Sequence, residues 1–301
     1  MIAHFLDYIA IERKYSNRTV EAYRDDLRDF CAFLGWEPKE FDPTQVDESD
    51  IKQWMISLLD GGKSPRSIKR YLSSLYSFYK FLLRTGAVKR DITRKVIAPK
   101  VDKPLPVFFK ESEMQRAVAY EADADDFESI RDCLIIEMLY QTGMRQAEML
   151  GLKDSDIDVK QGQVRIFGKR KKERIVPIGE NLIQQINQYR EARAELGETQ
   201  TFFVHIRRNG EVEPLNKHTL YNIVRARMGE VSTLKKHSPH VLRHTFATTM
   251  LNNGADIRTI QSLMGHASLA ATQVYTHTTF EQVRKAYNAA HPRARKTEVG
   301  S

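Results

Sequence analysis

The sequence predicts a mainly helical chain of two domains with a small amount of antiparallel β-structure. Three observations carry this expectation. Apolar residues recur at helical spacing through most of the first hundred positions. A stretch with three prolines in eight residues, from Pro99 to Pro106, then breaks the pattern as a linker would. Beyond it, helical stripes resume on both sides of two short β-rich runs. A chain of 301 residues is long enough for two separate cores. The expected division is 1–98 for the first domain, 99–106 for the linker, 107–291 for the second domain and 292–301 for a tail.

In the first domain a helix is expected near residues 2–13. Ser16-Asn17 reads as the start of a second, with Val20, Tyr23, Leu27, Phe30 and Leu34 at helical spacing up to Gly35. Ile51, Trp54, Met55, Leu58 and Leu59 form a third stripe, stopped by Gly61-Gly62. Ser64-Pro65 supplies an N-cap and a first helical residue for a fourth. Its stripe runs Ile68, Tyr71, Leu72, Leu75, Phe78, Tyr79 and Leu82, and Gly86 closes it. In the second domain helices are expected near 112–121, 126–142 and 145–150. Gln163–Phe167 and Arg174–Ile178 flank Gly168-Lys-Arg-Lys-Lys-Glu173 as a β-hairpin. Helical patterns then occupy roughly 180–195, 217–228, 240–252, 256–264, 269–275 and 279–289. The last has Phe280, Val283 and Tyr287 on one face, suited to packing on a neighbouring protomer.

Composition narrows the class. Apolar residues at 41% and charged residues at 29% describe an ordinary globular chain. The net charge of +8 and a pI near 9.3 suit a polyanionic partner. Cys31 and Cys133 lie far apart in apolar helical patterns, which argues against a disulfide framework and for a reducing cytoplasm. The N-terminus has no basic flank before an apolar run, so no signal peptide is expected. No segment approaches 18 uninterrupted apolar residues, so no membrane span is expected either. Between 61 and 100 the chain carries eleven basic residues, Lys63, Arg66, Lys69 and Arg70 among them, against Asp91 as the one acid. Alone this would be a solvated helix face; with the residues below it reads as a contact for the DNA backbone.

Those residues are, in chain order, Arg145, Lys169, His240, Arg243, His266 and Tyr275. The set suits attack on a phosphodiester without a metal or other cofactor. A phenol has a pKa near 10 and needs a base or a strong positive field to act as nucleophile. Two arginines can grip both non-bridging oxygens through forks that stay charged. A lysine on a hairpin can protonate the departing 5′-oxygen. Each residue also has a plainer reading. Tyr275 is one of twelve tyrosines, Arg145 and Glu148 are spaced as a surface ion pair, and Lys169 belongs to a basic turn with Arg170, Lys171 and Lys172. His240 and His244 have the i, i+4 spacing of zinc ligands, but no glutamate follows His240 and neither cysteine is near in sequence.

These residues carry a family resemblance over nearly the whole chain. The sequence resembles the tyrosine recombinases, and within them the Xer site-specific recombinases of the XerC/XerD type. The resemblance includes Phe5-Leu-Asp-Tyr8, Thr19-Val-Glu-Ala-Tyr23, Lys103-Pro-Leu-Pro106 and the run from Thr142 to Ala294. Pro239-His-Val-Leu-Arg-His-Thr-Phe-Ala247, Leu263-Met-Gly-His-Ala-Ser-Leu269 and Tyr275-Thr-His277 are its most specific stretches. It implies a SAM-like helical core-binding domain and a mainly helical catalytic domain, closing as a C-shaped clamp on DNA. By position it implies that Arg145 and Arg243 clamp the phosphate and that Lys169 is the general acid. His240 would assist proton transfer, His266 would hydrogen-bond the phosphate, and Tyr275 would be the nucleophile. Glu148 would orient the site from behind, and His244 would be structural. Arg170 stands where the family usually has glycine, and Lys171 and Lys172 are alternative acids in the same turn.

The resemblance further implies strand exchange through a Holliday junction by four protomers, as a homotetramer or with a sister recombinase. It implies chromosome-dimer resolution at a dif-type site in the nucleoid, with a septal DNA translocase as a further partner. A mobile-element integrase or DNA invertase of the same family is the nearest alternative. A type IB topoisomerase and a catalytically silent DNA-binding protein are more distant ones.

Overall fold

The computed structural model describes residues 1–101, 106–120, 122–168, 173–197, 199–265 and 277–294, with side chains from residue 280 onward in the last segment. The chain divides into two compact units, Met1–Pro104 and Leu105–Ser301.

The first unit contains α1 (Ile2–Asp7), α2 (Asn17–Phe33), α3 (Glu48–Asp60) and α4 (Pro65–Arg84), followed by a 3₁₀ turn at Ile92–Lys95. The single helix expected over 2–13 instead changes at Tyr8 into a π-helical stretch that ends at Glu12. Side-chain caps fix the helix starts. Ser16 Oγ accepts from the Thr19 amide, and Ser64 Oγ from the Ser67 amide with Pro65 at the first helical position. Each such cap is worth about 1 kcal/mol. The apolar stripes converge on one aromatic core, in which the Phe30 and Trp54 rings lie 4.8 Å apart and Phe5 meets Phe78 edge-on at 5.3 Å.

The second unit is built around α6 (Phe127–Thr142), which is buried on nearly every side, as its lack of a polar face requires. Around it lie α5 (Glu111–Val118), α7 (Gln146–Leu150), α8 (Glu180–Ala194), α9 (Lys217–Val231), α10 (Pro239–Asn252), α11 (Ile257–Met264) and α12 (His277–Ala290). The expected hairpin forms as β2 (Gln163–Phe167) and β3 (Glu173–Pro177), antiparallel, with Val164 opposite Val176 and Phe167 opposite Glu173. A two-residue β1 (Ile157–Asp158) extends that sheet, and β4 (Val204–Ile206) pairs with β5 (Val212–Pro214) in a second one. These three strands are additions to the sequence expectation.

The terminal helix differs from expectation in what it packs on. Val283, Tyr287 and Ala290 of α12 are buried in the core of their own unit, and Tyr287 Oη donates to the Gln141 carbonyl (3.1 Å). The helix expected over 269–275 lies outside the described residues. No described helix is long and apolar enough to cross a membrane.

Candidate active site

The site begins where α6 ends. Gly143 closes that helix in the left-handed conformation (φ +56°), and a Cβ there would sit 2.4 Å from Cδ1 of Phe246. Glycine is therefore required for the chain to turn under the Phe246 ring. The turn buries Met144 and delivers Arg145 to the N-cap position of α7.

Arg145 and Glu148 close this short helix reciprocally. The Arg145 amide donates to Glu148 Oε2 (2.8 Å), and Arg145 Nη1 donates to Glu148 Oε1 (2.7 Å). The spacing that suggested a surface pair is thus only half at the surface: the Arg145 side chain is 43% exposed and Glu148 is 5% exposed. Arg174, from β3, meets the same carboxylate from the other side, with Nη1 on Oε1 (3.1 Å) and Nη2 on Oε2 (2.7 Å). Burial alone would raise the Glu148 pKa. The hydrogen bonds and charge of Arg174, followed by those of Arg145, pull it below the ordinary carboxylate value.

Arg243 lies on α10 with its guanidinium almost wholly buried. Nη1 donates to the Gly143 carbonyl and Nη2 to the Met264 carbonyl, both at 2.6 Å. Burial, then repulsion from Arg145 and Arg174, pushes its pKa down to about 10, so it remains charged at neutral pH. Three arginines thus end on three successive carbonyls at the C-terminal end of α11, the last of them that of its C-cap residue. Arg174 Nε reaches Leu263 (2.6 Å), Arg243 reaches Met264, and Arg145 Nη2 reaches Gly265 (3.4 Å). These are among the carbonyls a helix leaves unpaired at its negative end, which favours cations. Gly265 then turns the chain in the left-handed conformation (φ +63°) immediately before His266.

His240 and His244 stand one turn apart on α10, with their Nε2 atoms 3.1 Å apart and their rings at 71°. Burial lowers the His240 pKa, and His244, Lys236 and Arg243 lower it further, so the imidazole is neutral at pH 7. Both histidines and Arg243 line a cavity of about 340 Å³ between α10 and α11, with Gln261 and Met264 on its far wall.

The structure thus brings Arg145, Glu148, Arg243 and His240 into one neighbourhood. Lys169, Arg170, Lys171, Lys172, His266 and Tyr275 lie outside the described residues. In the first unit Lys63, Arg66 and Lys69 are exposed and make no ion pair among the described residues. Arg70 differs: its Nη1 is 2.7 Å from buried Asp26, and its guanidinium covers the Tyr71 ring. Its charge is met within the chain. Arg174 is the residue that sequence reasoning missed. Strand alternation puts it on the inward face with Val176, and a charge at an inward strand position needs a partner.

Comparison with known proteins shows the family. The model for the phage integrase family matches residues 108–282, and that for the phage integrase N-terminal SAM-like domain matches residues 2–86. The chain belongs to the phage integrase family. It is 35% identical to tyrosine recombinase XerC of Chlorobaculum tepidum, across 97% of this chain and 94% of that one. It is also 35% identical to tyrosine recombinase XerD of Staphylococcus saprophyticus, across 98% and 99%. These relatives make it a tyrosine recombinase of the XerC/XerD type, a site-specific DNA recombinase. XerH recombinase bound to a palindromic difH substrate shares the fold, with a TM-score of 0.67 at 22% identity, over 96% of this chain and 84% of that one. The Tn1549 transposon integrase in complex with a circular intermediate DNA has a TM-score of 0.70 at 17% identity, over 96% and 94%.

Proposed function

We propose that the protein cuts and rejoins DNA through a 3′-phosphotyrosine on Tyr275 and exchanges strands between two copies of its site. Tyr275 Oη forms a bond to phosphorus while the bond to the 5′-oxygen breaks. Neutral His240 takes up the phenolic proton, and Lys169 gives one to the departing oxygen. Arg145 and Arg243 hold the non-bridging oxygens, and His266 donates a further hydrogen bond. Attack by the 5′-hydroxyl of the partner strand reverses the chemistry, so no cofactor is consumed.

The observation that carries this reading is the ratio of three guanidinium groups to one carboxylate around the end of α11. Positive charge exceeds negative there by two. Fixed donors at such a place stabilise charge that develops on phosphate oxygens, each worth roughly 10²–10³ in rate. Lys63, Arg66 and Lys69 of the first unit, with Arg170, Lys171 and Lys172 of the hairpin, would hold the flanking backbone.

The assembly would be four protomers on two duplex sites, with itself or with a sister recombinase, passing through a Holliday junction. Near full-length likeness to XerC and XerD supports chromosome-dimer resolution at a dif-type site, in the nucleoid and with a septal translocase. A nicked suicide substrate, which traps the covalent adduct, tests the chemistry. Tyr275→Phe should bind its site normally and form no adduct. An adduct that persists, or one mapped to buried Tyr287, overturns the assignment. Sequencing the DNA trapped by the wild-type protein in cells should return one chromosomal site. Recovery of mobile elements would assign the mobile-element role instead.

A further inference from the structure

We infer that Arg174 is a positioning residue of the recombinase site, holding Arg145 available for phosphate although Arg174 itself touches none. The inference rests on the reading of Arg145 as a phosphate clamp. Arg174 is 4% exposed, too deep to meet DNA. All three of its nitrogens are nevertheless engaged: Nε on the Leu263 carbonyl, Nη1 and Nη2 on the two oxygens of Glu148. One buried side chain thereby joins three segments that carry site residues. It stands on β3, opposite Ile166 of β2 and five positions after Lys169. Through Glu148 it reaches the turn that presents Arg145. Through Leu263 it holds the end of α11, three positions before His266.

The carboxylate makes the connection specific. Each oxygen of Glu148 accepts one N–H from Arg145 and one from Arg174, which fills its four lone-pair positions. With Arg174 present, two cations share one anion and the group keeps a positive charge. Without it, Arg145 and Glu148 form a neutral pair, and Arg145 is drawn toward the carboxylate and away from substrate. Arginine is needed because a planar fork with an additional Nε can bridge two carboxylate oxygens and a carbonyl together, whereas an ammonium is a point charge. Gly265 fits the same arrangement, since a Cβ there would come within 3.2 Å of Arg174 Nη1.

The test compares Arg174→Met, Arg174→Lys and Arg145→Ala in the full-length protein. Single-turnover cleavage is measured on a nicked suicide substrate, and again on the same strand with a methylphosphonate at the scissile position. The methylphosphonate is neutral and needs less charge stabilisation, so a defect in Arg145 function shrinks on it. Arg174→Met should cleave normal DNA about 10²-fold more slowly, the loss expected when a catalytic group is displaced by about 1 Å. Its site binding should stay near wild type, and its defect should shrink by at least about tenfold on the methylphosphonate, in parallel with Arg145→Ala. Arg174→Lys keeps the buried cation and should show the same pattern in weaker form, so it carries the test if the methionine variant does not fold. Equal defects of the Arg174 variants on both substrates, beside relief of Arg145→Ala, overturn the role of Arg174 alone. So does wild-type cleavage by Arg174→Lys. Failure of Arg145→Ala to slow cleavage, or to be relieved, overturns the clamp reading itself.

Discussion

Lowering the pH from 7 to 5 should destabilise the catalytic unit, and buried His291 carries a separable share of that loss. It follows α12 and is completely buried, with its ring stacked on Tyr287 (5.1 Å between centroids) and beside Tyr140. Nε2 donates to the Tyr140 carbonyl (3.2 Å), and Nδ1 accepts from the Arg293 amide (3.2 Å). Only the neutral ring with its proton on Nε2 satisfies both bonds. A second proton would face the Arg293 N–H and have no acceptor. Burial in the first place, and the nearby Arg293 charge, push the pKa down to about 4. In the unfolded chain the same histidine titrates near 6.5. Between these values the unfolded state binds the proton and the folded state does not, so stability falls as the pH falls through that window. At pH 5, about 1.5 pH units below the unfolded value, the loss is about 2 kcal/mol at roughly 1.4 kcal/mol per unit. For a unit of this size that is roughly 4–8 °C in melting temperature. Carboxylates titrate over the same range, so the measurement is a difference. Wild type and His291→Phe are melted at pH 7 and pH 5, following the transition of the second unit. The phenylalanine keeps the ring, loses stability at both pH values, and should lose about 2 kcal/mol less than wild type on acidification. Parallel losses in the two proteins would refute the argument.

Replacing Lys63, Arg66 and Lys69 together by alanine should flatten the dependence of log K on log salt by about 0.9 for each phosphate that is no longer neutralised, without lowering the melting temperature. Arg70→Ala should instead destabilise the first unit by stranding Asp26; an unchanged salt slope in the triple variant would mean that face is merely solvated. Gly143→Ala forces a left-handed alanine, costing about 1–2 kcal/mol, and drives its Cβ into Phe246. Because the Gly143 carbonyl holds Arg243, adduct formation should fall more than duplex binding, and an alanine variant with wild-type stability and cleavage would contradict this.

What the sequence disclosed depended on the range of the interaction. Helix starts at Ser16 and Ser64 were legible because a cap acts over three residues. The β2–β3 hairpin was legible because its two runs flank one turn. The pair β4–β5 has strands of only three residues, too short for alternation to register, although Asn209-Gly210 marks the turn between them. In α12, Val283 and Tyr287 define an apolar face in sequence, but periodicity does not say which surface that face meets. The polar groups beyond the stripe decide it. Tyr287 bonds to Gln141, Gln141 to Glu137, and Glu137 to Arg293, and these pairings span up to 156 residues.

Arg145 and Arg174 show the same distinction within the site. Arg145 was singled out by its place in the ordered set of residues and in the family motif, while its spacing to Glu148, which alone reads as a surface pair, is in the structure a capped helix start. Arg174 has equally specific partners, but they are 26 and 89 residues away. In the sequence it is one more cation at the foot of a basic turn. Its inward strand position was the available sign, because a guanidinium cannot shed its charge on burial and must find acceptors. Here the acceptors are a carboxylate already committed to Arg145 and a carbonyl at the end of the helix that leads to His266. Under the role proposed for Arg174, the charge that Arg145 presents is set by a residue outside the sequence motif, since three guanidinium groups rather than the motif's two gather around one carboxylate at the end of α11.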